Sequence, residues 1–170
     1  MSQVLARWNS LPQEGAAREI LACCGSNAWA GSMALKRPIH DELSLIETSD
    51  GIWRGLPEGD WLEAFRSHPR IGESRGEQTA AVQSSVWSEQ EQQKAASAEE
   101  AVKTALKWGN REYEHKFGRI FIVCATGKSA AEILEILRRR LHNDEATELQ
   151  QAAEEQRQIM HLRLKKWIAG

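Results

Sequence analysis

Asp60-Trp61-Leu62-Glu63-Ala64-Phe65-Arg66-Ser67-His68-Pro69 reads as a helix that ends on a histidine. Asp60 and Glu63 make a capping-box-like start, and Ala64 and Phe65 carry the apolar face onward. The residue before a proline is pushed out of the helical region. His68 is therefore expected where the helix stops and a loop begins. Histidine carries a proton either way near neutral pH, and loop positions held by rigid helices are where chemistry tends to be done.

The chain reads as helix on both sides of this stretch. Gly15 to Cys24 repeats apolar residues at Ala17, Ile20, Leu21 and Cys24 with helical spacing. Ser26 suits the cap of a run from Asn27 to Leu35, which stops before Pro38, and His40 to about Trp53 forms a further run. Ile71 to Ala81 is rich in Gly, Ser, Glu and Gln and reads as an exposed loop. Ser88 to about Tyr113 is helical in pattern, with a break near Ser97 or Gly109. Arg119 to Ala125 is the one strand-like run. Ser129-Ala130-Ala131-Glu132 is a capping box opening a helix to Leu141. Asn143 suits its end, and Asp144 suits the start of a last long helix towards Ile168. The expectation is an all-α, single-domain helical bundle over residues 1–170, with one short extended connector at about 119–126.

Composition excludes several classes. The chain has 170 residues, 41% apolar and 27% charged, with a formal net charge of -2. That suits a soluble globular domain and gives no field strong enough to predict nucleic-acid or membrane binding. The dense basic stretch Arg138-Arg139-Arg140 lies in a helical pattern and reads as a solvated face. Cys23, Cys24 and Cys124 are odd in number and lack metal-ligand spacing, so small buried hydrophobes are expected. No signal segment, lipidation address or apolar run of the ~20 residues a span needs is seen, so the cytoplasm is the expected location. The seven tryptophans, at irregular spacing, read as core and interface anchors.

Gly127-Lys128-Ser129 resembles the end of a phosphate-binding loop, but position 122 is Ile where that loop needs glycine. A tight turn and a helix cap account for it. The five histidines show no metal-binding spacing, so no metal is expected. His68 has two readings: a proton carrier, or a helix-terminal cation satisfying free carbonyls. Glu91 has two as well, since Ser88-x-x-Glu91 is itself a capping box. Arg163, between Leu162 and Leu164, either snorkels to solvent or aims a planar fork at an anion. On the residues alone the structural readings lead. Together, however, an arginine to hold a small anion, a histidine to move a proton and a carboxylate to orient form a chemically sensible set.

A longer series of motifs bears on these choices. Cys24-Gly25-Ser26-x-x-Trp29-Ala30, Arg37-Pro38, Trp61-Leu62-Glu63-Ala64-Phe65 and His68-Pro69-Arg70-Ile71-Gly72 occur in that order. Ser88-x-x-Glu91-Gln92, Phe117-Gly118-x-x-Phe121-Ile122-Val123 and Leu162-Arg163-Leu164 follow. Over nearly its whole length the chain resembles the 2-oxo-4-hydroxy-4-carboxy-5-ureidoimidazoline (OHCU) decarboxylases, which form (S)-allantoin in urate catabolism. The resemblance implies an all-helical, cofactor-free carboxy-lyase that forms homodimers. Carried over by motif, His68 looks like the acid/base, with Glu91 and Arg163 beside it as catalytic groups. Pro69, Ser88, Glu89, Gln90, Glu91, Gln92 and Arg163 look like substrate contacts. So do the backbone groups of Phe121, Ile122, Val123, Cys124 and Ala125. Two places depart from the family pattern: Arg119-Ile120, where many members have an aromatic-proline pair, and Lys94, where many have glycine. Two other readings are a cofactor-free hydrolase or isomerase of another ureido ring compound, and a non-catalytic helical interaction module.

Overall fold

The computed structural model describes residues 2–72 and 100–170. Among these are eight α-helices, one 3₁₀ turn and no β-strand. The helices are α1 (Gln3–Ser10), α2 (Gln13–Ile20), α3 (Asn27–Leu35), α4 (Glu42–Gly55), α5 (Glu58–Arg66), α6 (Glu100–Phe117), α7 (Ala130–Arg140) and α8 (Glu145–Ala169). The 3₁₀ turn, Leu21–Cys23, tightens the end of α2. The all-α expectation holds, and the strand-like run after Phe117 is an extended connector without a ladder.

The local signals set most helix starts. Ser26 Oγ accepts from the Trp29 amide at 3.2 Å, and Asp41 Oδ1 from the Ser44 amide at 2.7 Å. Ser129 and Glu132 make both bonds of a capping box, at 3.1 and 2.6 Å. Asp144 Oδ1 accepts from the Thr147 amide at 2.7 Å. Four starts differ from the sequence reading, α2 among them, which begins at Gln13 rather than Gly15. Ser2 caps α1, a helix not anticipated, which buries Leu5 and Trp8. The cap of α4 is Asp41, so that helix starts at Glu42 rather than His40. Helix α5 starts at Glu58 behind Pro57, leaving Asp60 in the first turn, where its charge suits the positive helix end.

The described residues cluster into two compact units, Met1–Ala64 with Arg157–Gly170, and Phe65–Gln156. In the first, α2 packs on α3 and α3 on α4. Arg37 closes the end of α1: its Nη1 donates to the carbonyls of Trp8 at 2.6 Å and Leu11 at 2.8 Å. The Trp8 indole N–H donates to the Ala16 carbonyl at 2.9 Å, and Trp167 stands edge-on to its ring. Asp50 takes His161 at 2.6 Å and Arg157 at 2.9 Å on its two oxygens. Trp8, Trp29, Trp53 and Trp167 are buried, as anchors should be. Trp108 in the second unit is 62% exposed, with Arg111 over its ring. Trp87 lies outside the described residues.

The second unit is built on α6 against α7. Helix α6 runs unbroken through Gly109, whose missing side chain makes room for Leu137 of α7. A Cβ there would lie 2.6 Å from Leu137 Cδ2. Gly118, at φ +65°, ends the helix in the left-handed conformation a glycine adopts cheaply. Tyr113, Phe117 and Phe121 then pack ring on ring with Ile133, Leu134 and Leu137. Ile71, expected in an exposed loop, is buried in this cluster, and its carbonyl accepts from the Asn110 amide group at 2.8 Å.

Candidate active site

His68 sits two residues past the end of α5, its backbone N–H turned back onto the Phe65 carbonyl at 3.2 Å. The residue is buried, at 6% exposure. Its Nε2 lies 2.6 Å from Oε1 of Gln156, a fully buried residue of α8. A solvent-facing histidine is thereby excluded. Pro69 follows half-buried, and Arg70 forks onto both carboxylate oxygens of Glu114.

The connector from Phe121 to Ala125 is buried along its whole length, although it belongs to no sheet. Buried irregular backbone must find partners, and side chains supply several. Arg140 Nη1 donates to the Ile122 carbonyl at 2.6 Å, and the Cys124 amide donates to Glu155 Oε2 at 2.7 Å. Lys128 Nζ donates to the Cys124 carbonyl at 2.8 Å, and the Lys128 amide to the Ala125 carbonyl at 3.1 Å. The Gly127-Lys128-Ser129 segment is thus the turn and cap that ends the connector, with Gly127 at φ +81°. Among the described residues, nothing hydrogen-bonds to the N–H or C=O of Val123.

Behind the connector lies a buried polar network. Glu148 Oε1 accepts from Arg140 at 2.8 and 2.5 Å and from the Tyr113 hydroxyl at 2.6 Å, and Oε2 accepts from Asn143 at 2.9 Å. Burial, with Glu148 beside it, pushes the Tyr113 hydroxyl well above its usual range. Arg140 also stacks over the Phe121 ring at 4.6 Å. The expectation of a solvated Arg138-Arg139-Arg140 face therefore holds for the first two and fails at Arg140. That residue falls on the stripe of Ile133 and Leu137 and is 5% exposed.

Arg163, in the first unit, is fully buried, which excludes snorkelling. Cys23 and Cys24 are buried in the same unit, within reach of its charge. Burial raises both thiols, Cys24 to about 12, and the guanidinium only partly offsets this. Neither is poised as a nucleophile.

The OHCU decarboxylase family model matches residues 9–165. The chain belongs to the OHCU decarboxylase family. The uric acid degradation bifunctional protein TTL of Arabidopsis thaliana is 36% identical over 85% of this chain and 44% of its own length. An OHCU decarboxylase of Xenopus laevis is 37% identical over 36% of this chain and 35% of its own length. The chain spans less than half the length of these curated relatives. A crystal structure of OHCU decarboxylase in the presence of (S)-allantoin superposes with a TM-score of 0.77 at 35% identity. It covers 89% of this chain and 98% of that one.

Of the residues that the resemblance to OHCU decarboxylases singled out, His68, Pro69 and the connector lie in the second unit, and Arg163 in the first. Ser88, Glu89, Gln90, Glu91 and Gln92 lie outside the described residues, as does Lys94. Arg119, the other departure, pairs with Glu145. The sequence reading missed Gln156 and Glu155, adjacent residues of α8 that meet His68 and the connector. A signal was available. Leu149, Ala152, Ala153, Gln156, Met160, Arg163, Leu164 and Trp167 recur at helical spacing and are all buried. Gln156 on such a stripe, with Glu155 buried beside it, marks polar groups held inside for a reason.

Proposed function

We propose that this chain decarboxylates 2-oxo-4-hydroxy-4-carboxy-5-ureidoimidazoline to (S)-allantoin in urate catabolism. The observation that carries the reading is a buried imidazole at a helix end, His68, in a chain of the OHCU decarboxylase family. In this reading the bond from the hydroxyl-bearing ring carbon to its carboxylate breaks, and carbon dioxide leaves. The electron pair moves into the adjacent ring carbon–nitrogen double bond, and that nitrogen takes a proton from water. His68 accepts the hydroxyl proton as the carbonyl forms, then returns it to one face of the ureido-bearing carbon. Delivery to one face fixes the S configuration. The unsaturated ring itself serves as electron sink, so the chemistry asks for no metal or cofactor.

Arg163 supplies a planar fork for the substrate anion, and Glu91 orients the substrate. Pro69, Ser88, Glu89, Gln90 and Gln92 line the site, and backbone groups of Phe121, Ile122, Val123, Cys124 and Ala125 bond the ring. Donors set in place before the reaction stabilise charge as it develops. The buried connector, with a Val123 peptide that no described residue engages, supports that role. We further read residues 1–170 as one such domain, acting in the cytoplasm as a homodimer; the family match over residues 9–165 supports the first point. No described helix is long and apolar enough to cross a membrane. The test is turnover of freshly generated OHCU, followed by carbon dioxide release and by optical activity. Protein-dependent release with accumulation of the S enantiomer is expected. A ureido product formed without carbon dioxide would replace the decarboxylase by a hydrolase or isomerase.

A further inference from the structure

We propose that Gln156 is a positioning residue that fixes the tautomer of His68, holding the proton on Nε2 and leaving Nδ1 as the nitrogen that exchanges protons. The inference deepens the decarboxylase reading, and only its kinetic arm rests on that reading. An amide oxygen has no proton to give, so Gln156 Oε1, at 2.6 Å from Nε2, requires an N–H on that nitrogen. The bond is the same for imidazole and imidazolium. In the neutral ring the lone pair then resides on Nδ1.

The geometry around the pair keeps it fixed. Gln156 is fully buried on the stripe that includes Ala152, Ala153 and Met160, so its amide has little freedom to turn. The backbone on the histidine side is pinned by its bond to Phe65 and by Pro69. Among the described residues, Arg70 forks onto Glu114 and Glu155 accepts from the Cys124 amide. Gln156 presents a neutral amide to Nε2, although the residue before it on α8, Glu155, is a glutamate. A carboxylate there would favour the imidazolium, whereas an amide orients the ring without adding a charge.

Nitrogen-15 NMR of the full-length, histidine-labelled protein reads the tautomer directly, without activity. Above its titration, neutral His68 should carry its proton on Nε2; a proton on Nδ1 would overturn the assignment. In Gln156→Glu the imidazole midpoint should rise by about one to three units, and the pH profile of kcat should move with it. A midpoint unchanged in a folded variant would equally overturn the proposal. In Gln156→Met, kcat should fall on the order of 10- to 100-fold, as expected for a displaced catalytic group, while KM changes little; an unaltered kcat would reduce Gln156 to packing. Wild-type protein that has the Nε2 proton but no OHCU turnover would remove the decarboxylase reading and leave the tautomer assignment standing.

Discussion

Replacing Arg140 by alanine is expected to destabilise the second unit by about 4 kcal/mol. Arg140 and Glu148 are 6% and 0% exposed in their side chains, so neither charge is screened by water. Alanine removes the two guanidinium bonds to Glu148 Oε1, at 2.8 and 2.5 Å, and among the described residues leaves Tyr113 and Asn143 to hold a buried carboxylate. Stranding one member of a buried ion pair costs roughly 3–5 kcal/mol. The Ile122 carbonyl also loses its donor, a loss of about 1–3 kcal/mol when the group stays buried. The two losses share one side chain and overlap rather than add. With a urea m-value of about 2 kcal/mol/M, the midpoint should fall by about 2 M. Substituting both Arg140→Met and Glu148→Leu should recover most of that, because no charge is then left unpaired. A fall of less than about 0.5 M for the alanine variant would show that the pair is not buried in solution and would refute the reasoning.

Glu155→Ala should orphan the buried Cys124 amide, speed its hydrogen exchange and raise KM; Glu155→Gln, which keeps an acceptor, should restore both. Arg163→Lys should weaken binding of an (S)-allantoin mimic by calorimetry, since a point charge does not replace a planar fork; unchanged affinity would return Arg163 to a packing role. Cys24 should resist thiol reagents at pH 8 in the native state and react on unfolding. Its folded value of about 12 lies above the reference 9.0, so the native state keeps a proton that the unfolded chain releases. That contribution to stability is complete below pH 9.0 and is lost as pH rises towards about 12, which urea titrations across that window would register.

What could be read in the sequence was mostly local. Ser26, Ser129 and Asp144 cap their helices as expected because a cap needs only its own three or four following residues. The first helix went unnoticed because Leu5 and Trp8 alone set its buried face, too few for a periodic signal. Arg140 was misread because a run of three arginines looks uniform, whereas the helix turns the third onto the face of Leu137. Its partners, Glu148 and the Ile122 carbonyl, belong to other elements and leave no mark within the run. At the candidate site, the His68-Pro69 boundary follows from proline sterics alone. The contact of His68 with Gln156 does not, since the two residues lie 88 positions apart in sequence.

The most direct measurement is the stereochemistry of product from His68→Asn, followed by optical activity on freshly generated OHCU, with circular dichroism to confirm the fold. Asparagine is about the right size to replace the ring but does not shuttle a proton at neutral pH, so enantioselective formation of (S)-allantoin should be abolished in a folded protein. A folded His68→Asn variant that still released the S enantiomer at a rate near that of the wild type would contradict the account.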